Sequence, residues 1–253
     1  MFAEERLDEI LNLLNTTGKI KVKDLSLQFN VSEDCIRKDL KSLENKGFLK
    51  RTYGGAVQVR ESSNFHDMPL RQKTDISTKT IIAQKALDII EDRETIFLDL
   101  STINILIAKL LRKSNKNIIV VTNMLEIMNI LSNQNNITLV ATGGVLNKDL
   151  IGFTGASTIE FIKKYKFDKV FIGSCGIDVF DRSITTFDID DGITKSAIIE
   201  SSKKCFLVME NKKFHIDGNY KFAKVEDVDT IITDSSPSRE ILDILNDYNI
   251  NVM

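Results

Sequence analysis

Cysteine, histidine and long apolar runs are scarce in this chain, and each shortage closes off a class of function. Cys35, Cys175 and Cys205 are far apart and odd in number. That pattern fits neither a disulfide framework nor a paired-cysteine metal site, and it points to the reducing cytoplasm. Two histidines, His66 and His215, are too few for a His-rich metal site, so no metal and no cofactor is expected. Apolar runs reach four to six residues, as in Ile118-Ile119-Val120-Val121, against the roughly 18 that a membrane helix needs. No membrane partner is expected. Glu4, Glu5 and Asp8 so close to the first residue do not read as a signal peptide.

The 253 residues suffice for two ordinary domains, and 42% hydrophobic with 28% charged residues is the balance of a globular protein. The net charge of −2 hides an asymmetry. Residues 1–60 carry 11 basic and 9 acidic side chains, whereas residues 61–253 carry 23 and 27. The excess is densest over residues 32–60, with seven basic against four acidic. A basic segment on an otherwise acidic chain points to a polyanion partner for that segment alone.

Leu7, Ile10, Leu11 and Leu14 recur at helical spacing, which predicts an amphipathic helix over 4–15 that Gly18 stops. Val22, Leu25 and Phe29 predict a second short helix, and Asn30 a tight turn. Ser32 is suited to cap a third helix that runs to about Lys46, with Glu33 and Asp34 in its first turn and Gly47 after it. On this helix Ile36, Leu40 and Leu43 share one face, and Arg37, Lys38 and Lys41 the other. Two short strands, 48–52 and 56–59, follow around Tyr53-Gly54-Gly55. The order is that of a winged helix-turn-helix, whose third helix enters a DNA major groove. Candidate DNA contacts are Ser32, Cys35, Arg37, Lys38 and Lys41 on the helix, and Lys50 and Arg51 on the wing. Asp39 is expected to tether Arg37 or Arg51 and so aim it. Cys35 is expected to be exposed.

Periodicity fades around Gln58, Arg60, Glu61, Ser62, Ser63, Asn64 and Pro69. The expected division is therefore residues 1–57 as the DNA-binding domain, 58–75 as a linker and 76–253 as a second domain. His66 in this linker is expected to be incidental.

From residue 76, short continuous apolar runs alternate with helical patterns. Strands are expected at 95–98, 118–121, 138–141, 169–172, 205–209 and 230–233. Helices are expected at 76–90, 103–112, 124–132, 156–165, 191–202 and 238–246. This is an α/β fold with a doubly wound, mostly parallel sheet covered on both faces. Ligands bind beyond the carboxyl ends of such strands. Polar residues and glycines gather there in Asp99-Leu100-Ser101-Thr102, Thr122-Asn123, Thr142-Gly143-Gly144, Gly173-Ser174 and Glu210-Asn211-Lys212-Lys213. Candidate binding residues are Asp99, Ser101, Thr102, Thr122, Asn123, Gly143, Gly144, Asp191 and Lys213. Hydroxyls and free backbone N–H groups at helix starts suit a phosphate, and Lys213 would neutralise it. Cys175, beside this pocket, is expected to be a buried, inert thiol rather than a redox sensor.

The stretch from Val31 to Ala56 resembles the DeoR family of bacterial transcription regulators. Ile36, Arg37, Asp39, Leu40, Gly47, Arg51, Gly54, Gly55 and Ala56 match its pattern, and Cys35 stands where the family has threonine. The resemblance runs on through Asp99 with Ser101-Thr102, Gly155, Phe171-Ile172-Gly173, Thr185-Thr186, Asp191 with Lys195, and Lys213-Phe214. It implies a sensor domain similar to ribose-5-phosphate isomerases and glucosamine-phosphate deaminases. It also implies a phosphorylated sugar as effector, operator DNA as partner, a homo-oligomer, and repression as the mode. The family's loop has glycine where this chain has Ser101, and left-handed backbone at that position would be strained. A catalytic role using Asp99, Asp191 and Lys213, and a purely DNA-binding oligomer, are the competing readings.

Overall fold

The computed structural model describes residues 3–58, 61–62 and 68–253. It divides into two units, Met1–Glu61 and Ser62–Met253.

In the first unit, helices Ala3–Thr17, Val22–Phe29 and Glu33–Asn45 surround a core of Ile10, Leu14, Leu25, Ile36, Leu40 and Leu43. Gly18 at φ +68 ends the first helix, and Asn30 at φ 53 makes the tight turn. Ser32 caps the third helix by accepting a hydrogen bond from the Cys35 N–H at 3.2 Å. The hairpin strands are Leu49–Thr52 and Gly55–Gln58. A third strand, Lys19–Lys21, not foreseen in the sequence, pairs antiparallel with the second of them. Three residues give no readable period. Val59, Arg60, Ser63, Asn64 and His66 lie outside the described residues.

Asp39 departs from expectation. It holds neither Arg37 nor Arg51, but accepts two hydrogen bonds from the Arg6 guanidinium of the first helix, at 2.6 and 3.2 Å. Both partners are buried. Asp39 lies one turn from Ile36 and Leu43 on the inward side of its helix, so its reach is to the helix packed beneath it. Its role is to pin the third helix to the first.

In the second unit all seven strands of the main sheet are parallel, in the order 251–252, 230–232, 205–208, 169–173, 95–98, 118–122, 137–141. Alternate side chains of each strand enter different cores. Ile96, Leu98, Val120 and Phe171 pack with helices Ile76–Asp88, Thr102–Leu111 and Leu125–Leu131. Phe97, Val121, Val170 and Ile172 pack with helices Ala156–Ile162, Ile189–Glu200 and Arg239–Asp247. Helices therefore cover both faces, which is why the strands read as apolar runs. Following the chain, the first three strands build outward from Thr95–Leu98 on one side. The later four build from Lys169–Gly173 on the other. The order reverses between these two neighbours, and the crevice beyond their carboxyl ends is where a doubly wound sheet takes a ligand.

Several small elements were not legible. A hairpin joins Val145–Asn147 to Gly152–Thr154. A three-stranded sheet joins 176–178, 183–186 and 220–224. Helix Met68–Lys73 falls within the expected linker and buries Met68 in the first of the two cores.

Candidate functional site

On the first unit, Arg37, Lys38, Lys41, Lys50 and Arg51 are all exposed. Arg37 is held by Glu33 at 2.6 Å and by Asp34 at 2.8 Å. Arg51 pairs with Glu44, which accepts from both its backbone N–H and its side chain and is thereby held below the usual carboxylate range. Among the described residues Lys38, Lys41 and Lys50 have no ion-pair partner. Arg37 and Arg51 border one groove of about 270 Å³, lined also by Val22, Leu40, Thr52, Gly54 and Gly55. Cys35 is half-buried rather than exposed, with its sulfur 3.4 Å from the Arg6 guanidinium. Thus five cations and the capping Ser32 share the outer side of the helix and wing, and Cys35 leans inward.

On the second unit a narrow crevice opens at the strand-order reversal, lined among others by Ser101, Gly173, Thr186, Asp191 and Lys195. Asp99 directly follows strand Thr95–Leu98 and is fully buried. Its carboxylate accepts from the Gly173 N–H at 3.1 and 3.2 Å and from Asn104 Nδ2 at 2.6 Å. Helix Ile189–Glu200, capped by Asp188, brings Asp191 and Lys195 to the same place, because residues four apart share a face. Lys195 Nζ lies 2.5 Å from Asp99 and 3.1 Å from Asp191, and Thr186 donates to Asp191 at 2.8 Å. Burial opposes the Lys195 charge, but Asp191 and Asp99 outweigh it and raise its pKa. Burial raises the Asp99 pKa despite Lys195. The result is an ammonium locked between two carboxylates.

The expected residues divide by place. Ser101 and Asp191 line the crevice, and Asp99 anchors Lys195, which also lines it. Thr102 is buried at the start of its helix and does not line the space. Thr122 donates to the Leu98 carbonyl and accepts from the Met124 N–H. Asn123 donates to the Phe153 carbonyl. Thr122 thus ties its strand end to the neighbouring strand, Asn123 ties the hairpin down, and both sit outside the lining. Gly143 and Gly144 follow the edge strand, two strands and so about 10 Å from Thr95–Leu98. A Cβ on Gly144 would meet Thr158 Oγ1 at 2.1 Å, so that glycine serves packing. Ser101 is not strained: its φ of −143° is extended, and it caps helix Thr102–Leu111 by accepting from the Ile103 N–H. Its bulk is accommodated by Gly173, where an added Cβ would lie 2.7 Å from the Ser101 Cβ. The lining also includes Arg71, Cys175 and Thr186. The i, i+4 spacing of Asp191 and Lys195 was a usable signal for Lys195, whereas Arg71 had none. Cys175 is half-buried and borders the space rather than lying inert in the core.

Lys213 stands behind the crevice and donates to the Ser174 carbonyl. Burial, reinforced by the charge of Arg71, draws its pKa from 10.5 down to about 8. Between those values the unfolded chain binds more protons than the folded one, so stability rises with pH across that window. Below pH 8 the full cost of the buried charge remains. Lys213→Met is expected to stabilise the second unit at pH 7 by about 2 kcal/mol, allowing for the lost hydrogen bond. It should also flatten the rise between pH 8 and 10. Urea unfolding across that range checks both, and an unchanged slope would remove Lys213 as its source.

The DeoR-like helix-turn-helix domain model matches residues 6–62, and the DeoR C terminal sensor domain model matches residues 74–235. The chain belongs to the DeoR family. It is 31% identical over 250 residues to the glycerol-3-phosphate regulon repressor of Escherichia coli (strain K12), covering 98% of this chain and 97% of that one. It is 30% identical over 253 residues to the HTH-type transcriptional repressor GlcR of Bacillus subtilis (strain 168), covering 100% and 96%. The lactose phosphotransferase system repressor of Staphylococcus epidermidis is 29% identical over 237 residues, covering 92% of each chain. Among solved structures, ribose 5 phosphate isomerase A from Neisseria gonorrhoeae aligns with 53% of this chain and 52% of its own at a TM-score of 0.39 and 15% identity. The delta subunit of eIF2B from Chaetomium thermophilum aligns with 66% and 59% at 0.48 and 14%. Those structural likenesses are too slight to bear on function. As a DeoR-family protein, the chain is a DNA-binding transcription regulator of the repressor type. None of its described helices is long and apolar enough to cross a membrane.

Proposed function

We propose that this DeoR-family regulator represses a sugar-metabolism operon and that a phosphorylated sugar in the second unit's crevice controls its grip on DNA. The observation that carries the reading is the crevice at the strand-order reversal. Arg71 there offers a charge to a phosphate. Ser101 and Thr186 offer hydroxyls, and the Asp191–Lys195–Asp99 cluster offers fixed polar groups for sugar hydroxyls. On the first unit, Ser32, Arg37, Lys38, Lys41, Lys50 and Arg51 face the DNA, and Cys35, turned inward against Arg6, packs beneath them. A single small head binds DNA weakly, so the working form is a homo-oligomer. Phosphosugar control is consistent with names such as glycerol-3-phosphate regulon repressor among the relatives.

The test is a gel shift of the full chain on DNA from upstream of its own gene, with and without a panel of phosphosugars. One compound should release the DNA and also raise the melting temperature. At 100 times its dissociation constant a ligand adds about 2.7 kcal/mol. Release by none of the panel sinks the sensing half and leaves the DNA half standing. Measurable isomerisation of a phosphosugar by the purified protein would replace sensing with catalysis.

A further inference from the structure

Two cations line the crevice, Arg71 and Lys195. Lys195 is committed to Asp99 and Asp191. Arg71 is not: among the described residues no side chain accepts a hydrogen bond from its guanidinium, and no carboxylate pairs with it. A half-buried guanidinium with five donors and no acceptor is set up for an oxyanion.

The place of Arg71 in the chain gives it a second role. It sits on helix Met68–Lys73, ten residues beyond Glu61, where the first unit ends. That helix is held firmly to the second unit. Met68 is buried in the core at its start. At its end the buried Lys79 donates to the Arg71 and Thr74 carbonyls at 2.6 and 2.8 Å. The backbone of Arg71 is therefore fixed, while its side chain has no acceptor among the described residues. Positive charge also accumulates behind it, since Arg71 lies close enough to Lys213 to depress that amine's pKa. An anion relieves this repulsion.

We propose that Arg71 binds the anionic group of the crevice ligand, of the phosphate monoester type, and through its helix passes occupancy of the crevice to the chain connecting the two units. The inference rests on the crevice being the effector site. A ligand phosphate on Arg71 bonds directly to the segment that leads to the DNA head. The signal then needs no route across the sheet.

Hydrogen exchange of the full chain tests this, with inorganic phosphate and glycerol 3-phosphate as probes. Either probe should slow exchange of the amides over residues 68–75. Arg71→Gln should raise the half-saturating concentration at least about tenfold and abolish that protection. Arg71→Lys should retain part of both, and Lys164→Gln, outside the lining and paired only with Glu160 among the described residues, should change neither. Binding by Arg71→Gln at the wild-type concentration overturns the inference while leaving the sensing reading intact. So does protection of the crevice strands without protection of 68–75. No binding of either probe by the wild-type chain, with no phosphosugar releasing DNA, ends both.

Discussion

Replacing Lys195 with methionine is expected to cost the second unit about 3–5 kcal/mol. The ammonium is the counter-charge for two buried carboxylates, 2.5 and 3.1 Å away. Removing it leaves Asp99 and Asp191 facing each other in a space that already pushes the Asp99 carboxyl upward. One of them should then hold a proton near neutrality. A folded state that binds more protons than the unfolded chain gains stability as pH falls. Lys195→Met should therefore be least stable at high pH and recover as pH drops toward 5, a steeper dependence than the wild type's, in which Lys195 opposes the upward push on Asp99. Asp99→Asn on the same background should restore part of the loss at neutral pH. Urea unfolding of the three proteins between pH 5 and 9 measures this. A loss below about 1 kcal/mol would mean that the cluster is solvated and not the clamp described above.

The second large effect concerns the wing. A methyl group on Gly55 would lie 2.0 Å from the Ile20 carbonyl oxygen and 3.1 Å from its carbon. These are backbone atoms of the paired strand Lys19–Lys21, so no side chain can swing aside. Gly55→Ala should strip that strand from the hairpin, with loss of the Val22 N–H bond to the Gly54 carbonyl. Overpacking of this kind costs about 1–3 kcal/mol or more, a large share of what a unit of some sixty residues can spare. DNA affinity is expected to fall by about a hundredfold, with the melting of the second unit unchanged. Fluorescence anisotropy on operator DNA, beside a calorimetric scan, separates the two. Wild-type affinity in Gly55→Ala would show that the third strand is dispensable.

The elements that read clearly from the sequence are those whose environment is simple. Val170 to Ile172 lies between two helix layers with every side chain buried, so every side chain had to be apolar. Ile36, Leu40 and Leu43 lie against a single core, so the helical period was clean. What escaped was short or locally disguised. Lys19–Lys21 and Val145–Asn147 are three residues each and contain no full period. Pro69 read as a breaker, yet it occupies the second position of helix Met68–Lys73. In the first turn of a helix proline's missing N–H has no partner to lose. Hiding that helix hid Arg71. The crevice residues were half legible for a related reason. Asp99, Ser101 and Gly173 lie at the ends of strands that meet at the reversal. Gly143-Gly144 and Thr122-Asn123 follow equally good strands and carry equally suggestive residues. Only strand order tells them apart, and strand order is set by pairings among residues far apart in the chain. Asp39 misled because its partner, Arg6, lies 33 residues back on another helix.

The clamp of Glu33 and Asp34 on Arg37 bears on how a regulator of this kind ignores most of a genome. In the proposed DNA complex Arg37 must leave two carboxylates that already satisfy it. A lone backbone phosphate offers little improvement on them. A guanine edge, with two acceptors spaced for a guanidinium, offers more. The unclamped Lys38, Lys41 and Lys50 attract any duplex alike. On the proposed reading the two acids would act as a built-in competitor, weakening Arg37's grip in random encounters and yielding it where the base sequence presents the matching pair of acceptors.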